Sequence, residues 1–280
     1  MQMLDGHVVL ITGGGSGLGL GLARYFRDEG AQLAIMEIAE EKLADLKAEF
    51  GDEVLLVPGD VTSLDDLTAC RSAVLDRYGR LDALVGAQGV FDGNVPLKQI
   101  PTEDIPALFD ELFRTNVLGY ILPTRVFIDV LDENDGAVVL TSSVAAYAAD
   151  GGGLFYTSTK GAVVSLVKQL AFEFAPRVRV NSVAPAAFAN SQLRGPKALG
   201  MQAWKQSDIP KDAFLESFKQ LAPLQELPTP EDYAPLYAFL ASRHNKVMTG
   251  TTVLAEQGVL NRAVLTTTGV VDHATGGTEA

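Results

Sequence analysis

The sequence predicts an α/β fold: a doubly wound parallel sheet of about seven strands with helices on both faces. Three observations carry that reading. Short β-branched runs alternate with longer amphipathic stretches, the rhythm of right-handed βαβ crossovers. The first apolar run ends in glycines and opens directly into a helical pattern. No internal repeat or long polar linker divides the 280 residues, a length suited to one large domain. That domain is expected over 1–262, with 263–280 as a C-terminal tail.

The elements follow in order. "HVVLITG" (7–13) is a strand closed by glycine, and 17–29 is the amphipathic helix after it. "LAIME" (33–37) is the second strand, and 40–50 the next helix, with Leu43, Leu46 and Phe50 on one face. "VLLVPGD" (54–60), the helical stretch 64–78 and "LDALVG" (81–86) repeat the form. Helical patterns over about 105–132 and 155–175 flank the strand "GAVVLTSS" (136–143), and "VRVNSVAP" (178–185) gives the sixth strand. The rhythm breaks over 186–230, too long for an ordinary connection. That segment reads as a substrate lid with a helix near 211–221, apolar at Phe188, Leu193, Met201 and Trp204. "TTVLAE" (251–256) closes the sheet, and the last ten residues of the small, polar tail are expected to be disordered.

Composition excludes several classes. Hydrophobic content of 47% with 20% charged residues is that of a soluble globular protein. No apolar stretch reaches the ~18 residues of a membrane span. The opening "MQMLDGHVVLITGG" has no basic flank and reads as a first strand, not a signal peptide. One cysteine, Cys70, forms no internal disulfide, which fits a reducing, cytoplasmic setting, and its helical context favours packing over catalysis. A net charge of −13 argues against nucleic acid and anionic membrane surfaces as partners. His7, His244 and His273 are scattered, so no metal site is expected.

"TGGGSGLG" (12–19) lies between a predicted strand and a predicted helix, the context a phosphate-binding loop requires. Glycine permits a tight turn and close approach, and the helix N-terminus offers free N–H groups. Gly13, Gly15, Ser16, Gly17, Leu18 and Gly19 are therefore candidate dinucleotide contacts in a Rossmann-type domain. Glu37, eighteen residues past Gly19, suits both ribose hydroxyls of adenosine and would repel a 2′-phosphate, so NAD is expected over NADP. Glu37 reads equally as the acidic start of the next helix. Asp60 and Val61 either reach the adenine edge or simply begin a helix turn. Tyr156 and Lys160 stand four apart, on one face of a helix.

Taken together, "TGGGSGLG", "GDV", "NVLGY", a serine pair followed by "YTSTK", and "VRVNSVAP" resemble the short-chain dehydrogenase/reductase family over about 5–262. The resemblance implies Tyr156 as general acid/base. It implies Lys160 on the nicotinamide ribose, lowering the tyrosine's pKa. Ser143, thirteen residues before Tyr156, would bind the reacting oxygen, and Asn116 would help hold a water chain behind Lys160. It also places Gly89 and Pro185 at the cofactor and implies a homotetramer. The chemistry is consistent, because a free tyrosine with pKa ≈ 10 must be acidified to serve as base near neutrality. Three places depart from the family: "GAQG" (86–89) replaces "NNAG", Ala186 replaces glycine after Pro185, and "EQG" (256–258) replaces "DGG".

"GVFDG" (89–93), "GGGLFYTSTK" and above all "NSQLRGPKALGM" (190–201) are most similar to the cis-dihydrodiol dehydrogenases of aromatic hydrocarbon catabolism. That resemblance implies NAD-dependent oxidation of a ring cis-diol to a catechol. Phe91, Phe188, Asn190, Leu193 and Met201 are then candidate substrate contacts beside Ser143, each reading equally as lid or core packing. Arg194 suits either a substrate carboxylate or a salt bridge. The alternatives are dehydrogenation of another secondary alcohol (a steroid, a sugar or a hydroxyacyl thioester) and a non-catalytic dinucleotide-binding protein.

Overall fold

The computed structural model describes residues 2–149, 151–208 and 210–261; the tail 263–280 lies outside them. Seven parallel strands form one sheet in the order β3-β2-β1-β4-β5-β6-β7. They are β1 Val8–Thr12, β2 Gln32–Glu37, β3 Leu55–Pro58, β4 Ala83–Gly86, β5 Ala137–Thr141, β6 Arg179–Pro185 and β7 Thr252–Ala255. All five residues of β1 are buried, as are those of β4 and β5, because helices cover both faces.

Side chains alternate between two cores. Val9 and Ile11 of β1 face α1 (Gly17–Asp28) and α8 (Pro230–Ala241), against Leu22, Phe26, Tyr233 and Tyr237. Val8 and Leu10 face the opposite layer, α3 (Leu64–Tyr78), α5 (Gly119–Glu133) and α6 (Leu154–Phe174), through Leu67, Val74, Phe127 and Val163. Cys70 is fully buried in that second layer, and burial pushes its thiol up to about 12, so it packs as a small apolar group. Helix α2 (Glu40–Phe50) spans the β2–β3 crossover.

Two elements differ from the sequence expectation. The stretch 105–132 is two helices, α4 (Ile105–Phe113) and α5, joined by a π-helical turn at Arg114–Leu118. Helix α8 carries proline at its first turn and again at Pro235, which hides its helical signal. It is set by a capping box in which Asp232 accepts from the Thr229 N–H.

The segment 186–230 leaves the sheet after β6 and returns at α8. Its two stems are tied by one hydrogen bond, Ala189 N–H to the Pro228 carbonyl at 2.8 Å. Within it, α7 (Lys211–Leu221) matches the predicted helix.

Candidate active site

The sheet order reverses between β1 and β4, and that is where a doubly wound sheet opens a crevice at its C-terminal edge. The glycine loop after β1 lies there. Gly13 has φ +73°, and a Cβ on it would stand 2.7 Å from that of Gln88. A Cβ on Gly15 would stand 2.5 Å from Glu37 Oε2, and the Gly15 N–H donates to that oxygen at 3.0 Å. The loop is thus a cradle whose floor is bare backbone, which fits a pyrophosphate. Glu37 Oε1 also accepts from the N–H groups of Ile38 and Ala39 at the start of α2. Glu37 thus lines the cradle and anchors the turn that leads into α2. Asp60 Oδ1 accepts from Thr62 N–H in a local turn, and Val61 is buried in the core beside Gly119. Their side chains therefore do turn and packing work.

Tyr156 and Lys160 sit on the first turns of α6, both buried. Ser143 follows β5 close enough to the Tyr156 hydroxyl to act on its pKa, and its Oγ accepts from Ala145 N–H at 3.2 Å. Ser142 Oγ instead donates to the Lys160 carbonyl at 3.0 Å, which commits it to fixing α6. Lys160 Nζ donates to the Thr141 carbonyl at 2.9 Å and lies 5.5 Å above the centre of the Tyr156 ring. Burial drives the Lys160 ammonium down to about 7. Burial pushes the Tyr156 phenol up to about 12; the Ser143 hydrogen bond opposes this and the Asp92 charge adds to it. Burial therefore favours the protonated phenol in the ligand-free protein.

Asn116 is fully buried in the π turn. Its amide brackets Val90, accepting from its N–H at 2.8 Å and donating to its carbonyl at 2.9 Å, and donates to Thr159 Oγ1 at 3.1 Å. The π turn thus couples the loop after β4 to α6. Gly89 lies between, where a Cβ would be 3.8 Å from Lys160 Nζ.

The departures from the family have physical reasons here. Gly86 leaves room for the Tyr120 ring, which a Cβ would meet at 2.6 Å, and the Tyr120 hydroxyl donates to the Gln88 carbonyl at 3.0 Å. Gln88 accepts from Thr12 Oγ1 at 2.7 Å and donates to the Gly119 carbonyl at 2.7 Å. That carbonyl is orphaned by Pro123 four residues on, which has no N–H to offer. Ala186 is absent from the positive-φ residues among those described, so alanine after Pro185 needs no strained backbone.

The lid supplies an apolar wall. Phe91 meets Tyr156 edge-on at 5.1 Å and stacks on Trp204 at 6.0 Å. Met201 packs under Gly93, and Leu193 faces Gly89. Asn190 has φ +59°, and the Ser191 hydroxyl next to it is buried without a hydrogen-bond partner. Phe188 is elsewhere. It packs edge-on to Tyr233 in the α1/α8 core, which corrects the expectation that it lines the substrate pocket. Arg194 Nη1 pairs with Glu111 Oε1 of α4 at 2.9 Å, while Glu111 Oε2 accepts from Ala198 N–H, so Glu111 latches the lid. The most important residue unread in the sequence is Asp92, buried at the N-terminus of α6.

The fold and glycine loop define a dinucleotide-binding protein of the oxidoreductase class. A family model described as enoyl-(acyl carrier protein) reductase matches residues 13–260. The chain belongs to the short-chain dehydrogenase/reductase family, and a nicotinamide dinucleotide is its cofactor. It is 40% identical over 265 residues, 94% of this chain and 97% of the relative, to a 3-phenylpropionate-dihydrodiol/cinnamic acid-dihydrodiol dehydrogenase of Escherichia coli O7:K1. A short-chain dehydrogenase/reductase, glucose/ribitol dehydrogenase, from Brucella melitensis superposes with TM-score 0.77 at 25% identity, covering 92% of this chain and 98% of its own. A 3-ketoacyl-(acyl-carrier-protein) reductase from Brucella melitensis, complexed with NADH, gives TM-score 0.75 at 29% identity over 91% and 98%.

Proposed function

We propose that the protein oxidises an aromatic-ring cis-dihydrodiol to the catechol with NAD as acceptor. The observation that carries this reading is the aromatic cluster beside Tyr156. Phe91, fixed between Tyr156 and Trp204, offers a flat apolar face beside the proton acceptor. The kinship with a dihydrodiol dehydrogenase supports the same substrate class.

When bound, the oxidised nicotinamide supplies the hydride acceptor and a positive charge. Tyr156 takes the proton of the carbinol hydroxyl. Ser143, beside Tyr156, fixes the same substrate oxygen. Lys160 holds the nicotinamide ribose, and Asn116 keeps the loop after β4 in register behind it. A cation arriving over the site favours the phenolate, which the buried tyrosine alone does not reach. The ketone released from the diol tautomerises to the catechol. Glu37 at the glycine loop supports NAD over its 2′-phosphorylated form.

The single domain of residues 1–262 is inferred to act as a cytoplasmic homotetramer. The unpaired Cys70 thiol supports the compartment, and exposed apolar side chains on α5 and α6, Ile121 and Phe172, support the assembly. The test is NADH formation, followed by its absorbance, with NAD and NADP each offered cis-dihydrodiols of benzene, biphenyl, naphthalene and phenylpropionate, and simple secondary alcohols. Turnover of a cis-diol with NAD is expected. Turnover confined to other alcohols would remove the diol assignment and keep the catalytic one.

A further inference from the structure

Asp92 stands in the loop after β4, 2% exposed, with its carboxylate against the first turn of α6. Oδ1 accepts from Gly153 N–H at 2.8 Å and from Asn94 N–H at 3.2 Å, and Oδ2 accepts from Tyr156 N–H at 2.9 Å. Gly153 is the N-cap position of α6, so one side chain from a distant loop satisfies two of the helix's free N–H groups. The chain is cut to admit it. A Cβ on Gly153 would lie 2.5 Å from Asp92 Oδ2, and one on Gly152 would lie 2.5 Å from the Tyr156 ring and 3.3 Å from Phe91. The run of glycines ahead of Tyr156 is therefore the negative imprint of this carboxylate and of the tyrosine ring.

We propose that Asp92 is a positioning residue that clamps Tyr156 to the Phe91 loop and sets the pH at which that tyrosine yields its proton. The inference rests on Tyr156 being the proton acceptor. The clamp arises because Asp92 follows Phe91 directly. The residue that grips the backbone of Tyr156 is thus bonded to the one that walls the substrate, and proton acceptor and ring slot move as one body. The electrostatic part follows from placement. A carboxylate on the helix N-terminus cancels the positive end of the helix dipole, which would otherwise favour a phenolate on the first turn. Its own charge disfavours that phenolate as well. The other groups around the phenol are Ser143 after β5, Lys160 on α6, Tyr120 on α5 and Tyr237 on α8. Of these only Lys160 is cationic, and burial lowers its charge. Asp92 is thus the anion in this set, and removing it should make the tyrosine more acidic.

The test is Asp92→Asn, with Asp92→Glu as the charge-keeping control. For diol oxidation the rate rises as Tyr156 ionises, so a lower phenol pKa moves the acid limb of the kcat/KM profile to lower pH. Asp92→Asn is expected to move that limb down by about one pH unit, to lower kcat, and to leave Asp92→Glu near the wild-type limb. Ultraviolet titration of tyrosinate in cofactor-free protein, taken as the difference from Tyr156→Phe in the same background, should shift the same way. This second readout separates failure of the clamp from failure of the base assignment, since it does not need turnover. An unmoved tyrosinate titration in folded Asp92→Asn would overturn the electrostatic role. Should that variant not fold, Gly153→Ala, which displaces the carboxylate and keeps its charge, carries the test through the same titration. Loss of folding in both would assign Asp92 to the scaffold alone and overturn the proposal.

Discussion

Tyr156 and Lys160 lie four residues apart on one helix, yet burial acts on them in opposite directions. It holds the phenol neutral and weakens the ammonium's hold on its proton. Tyr156→Phe removes only the acid–base group and should lower diol turnover by about 10²–10⁴-fold with an unchanged melting temperature, measured side by side with NADH formation. Lys160 gives a pH signature in stability. Its pKa falls from 10.5 in the unfolded chain to about 7 in the folded one, so between those values the unfolded state binds more protons. Wild-type stability from this group therefore rises with pH across that window and is lost as pH falls through about 7. Lys160→Met should thus exceed the cofactor-free wild type most at pH 6, with the gap narrowing towards pH 10; denaturant melts at several pH values check this. At this scale Ser143, Tyr156 and Lys160 were legible because their spacing is local. Asp92 was not, because its partners are sixty residues away and only folding brings a carboxylate to those amides.

Among the elements, the ones that carry period and caps were readable, and the ones that break them were not. The π turn at Arg114–Leu118 looks like helix in sequence because helical patterns run on both sides of it, although Thr115, Asn116 and Val117 are weak helix formers; only the buried demand of Val90 for both hydrogen bonds of Asn116 reveals it. Helix α8 was overlooked because prolines 230 and 235 speak against a helix until the capping box is seen. Phe188, open in sequence between ligand wall and core, takes the core: an apolar residue at the root of the lid is as ready to join α8 as to face a ligand. The lid itself makes the next prediction. Glu111 binds both Arg194 and the Ala198 amide, and losing one half of this half-buried pair leaves the other unpaired. Glu111→Gln should raise KM for the diol several-fold while the dinucleotide Kd, measured by NADH fluorescence, stays at the wild-type value. A Kd that rises equally would instead tie the latch to the cofactor cleft.

At the scale of the whole molecule, the parallel sheet of seven strands with helices on both faces was legible, since short apolar runs separated by helices leave few topologies, while the strand order came only with the structure. The proposed assembly would rest on side chains that a single chain leaves outside. Phe172 of α6 is 81% exposed, and Ile121 of α5 is also exposed. Native mass spectrometry should find four copies, and Phe172→Asp should shift the distribution to smaller species, whereas an unchanged mass would exclude that face from the contact.

One small contact has a wider consequence. The Ala189–Pro228 hydrogen bond pinches the segment 186–230 at its neck, so the chain leaves β6 and enters α8 through nearly one point. A segment closed in this way is a cassette. Its length and sequence can drift with little cost to the framework, because closing a longer loop costs only logarithmically more. The proton-handling groups stay on strands and helices outside the neck, while Leu193, Met201 and Trp204 lie within it. Lineages that share the chemistry can therefore diverge in diet by exchanging what hangs from that neck. The same exchange made in the laboratory would move ring preference between relatives and leave the base untouched.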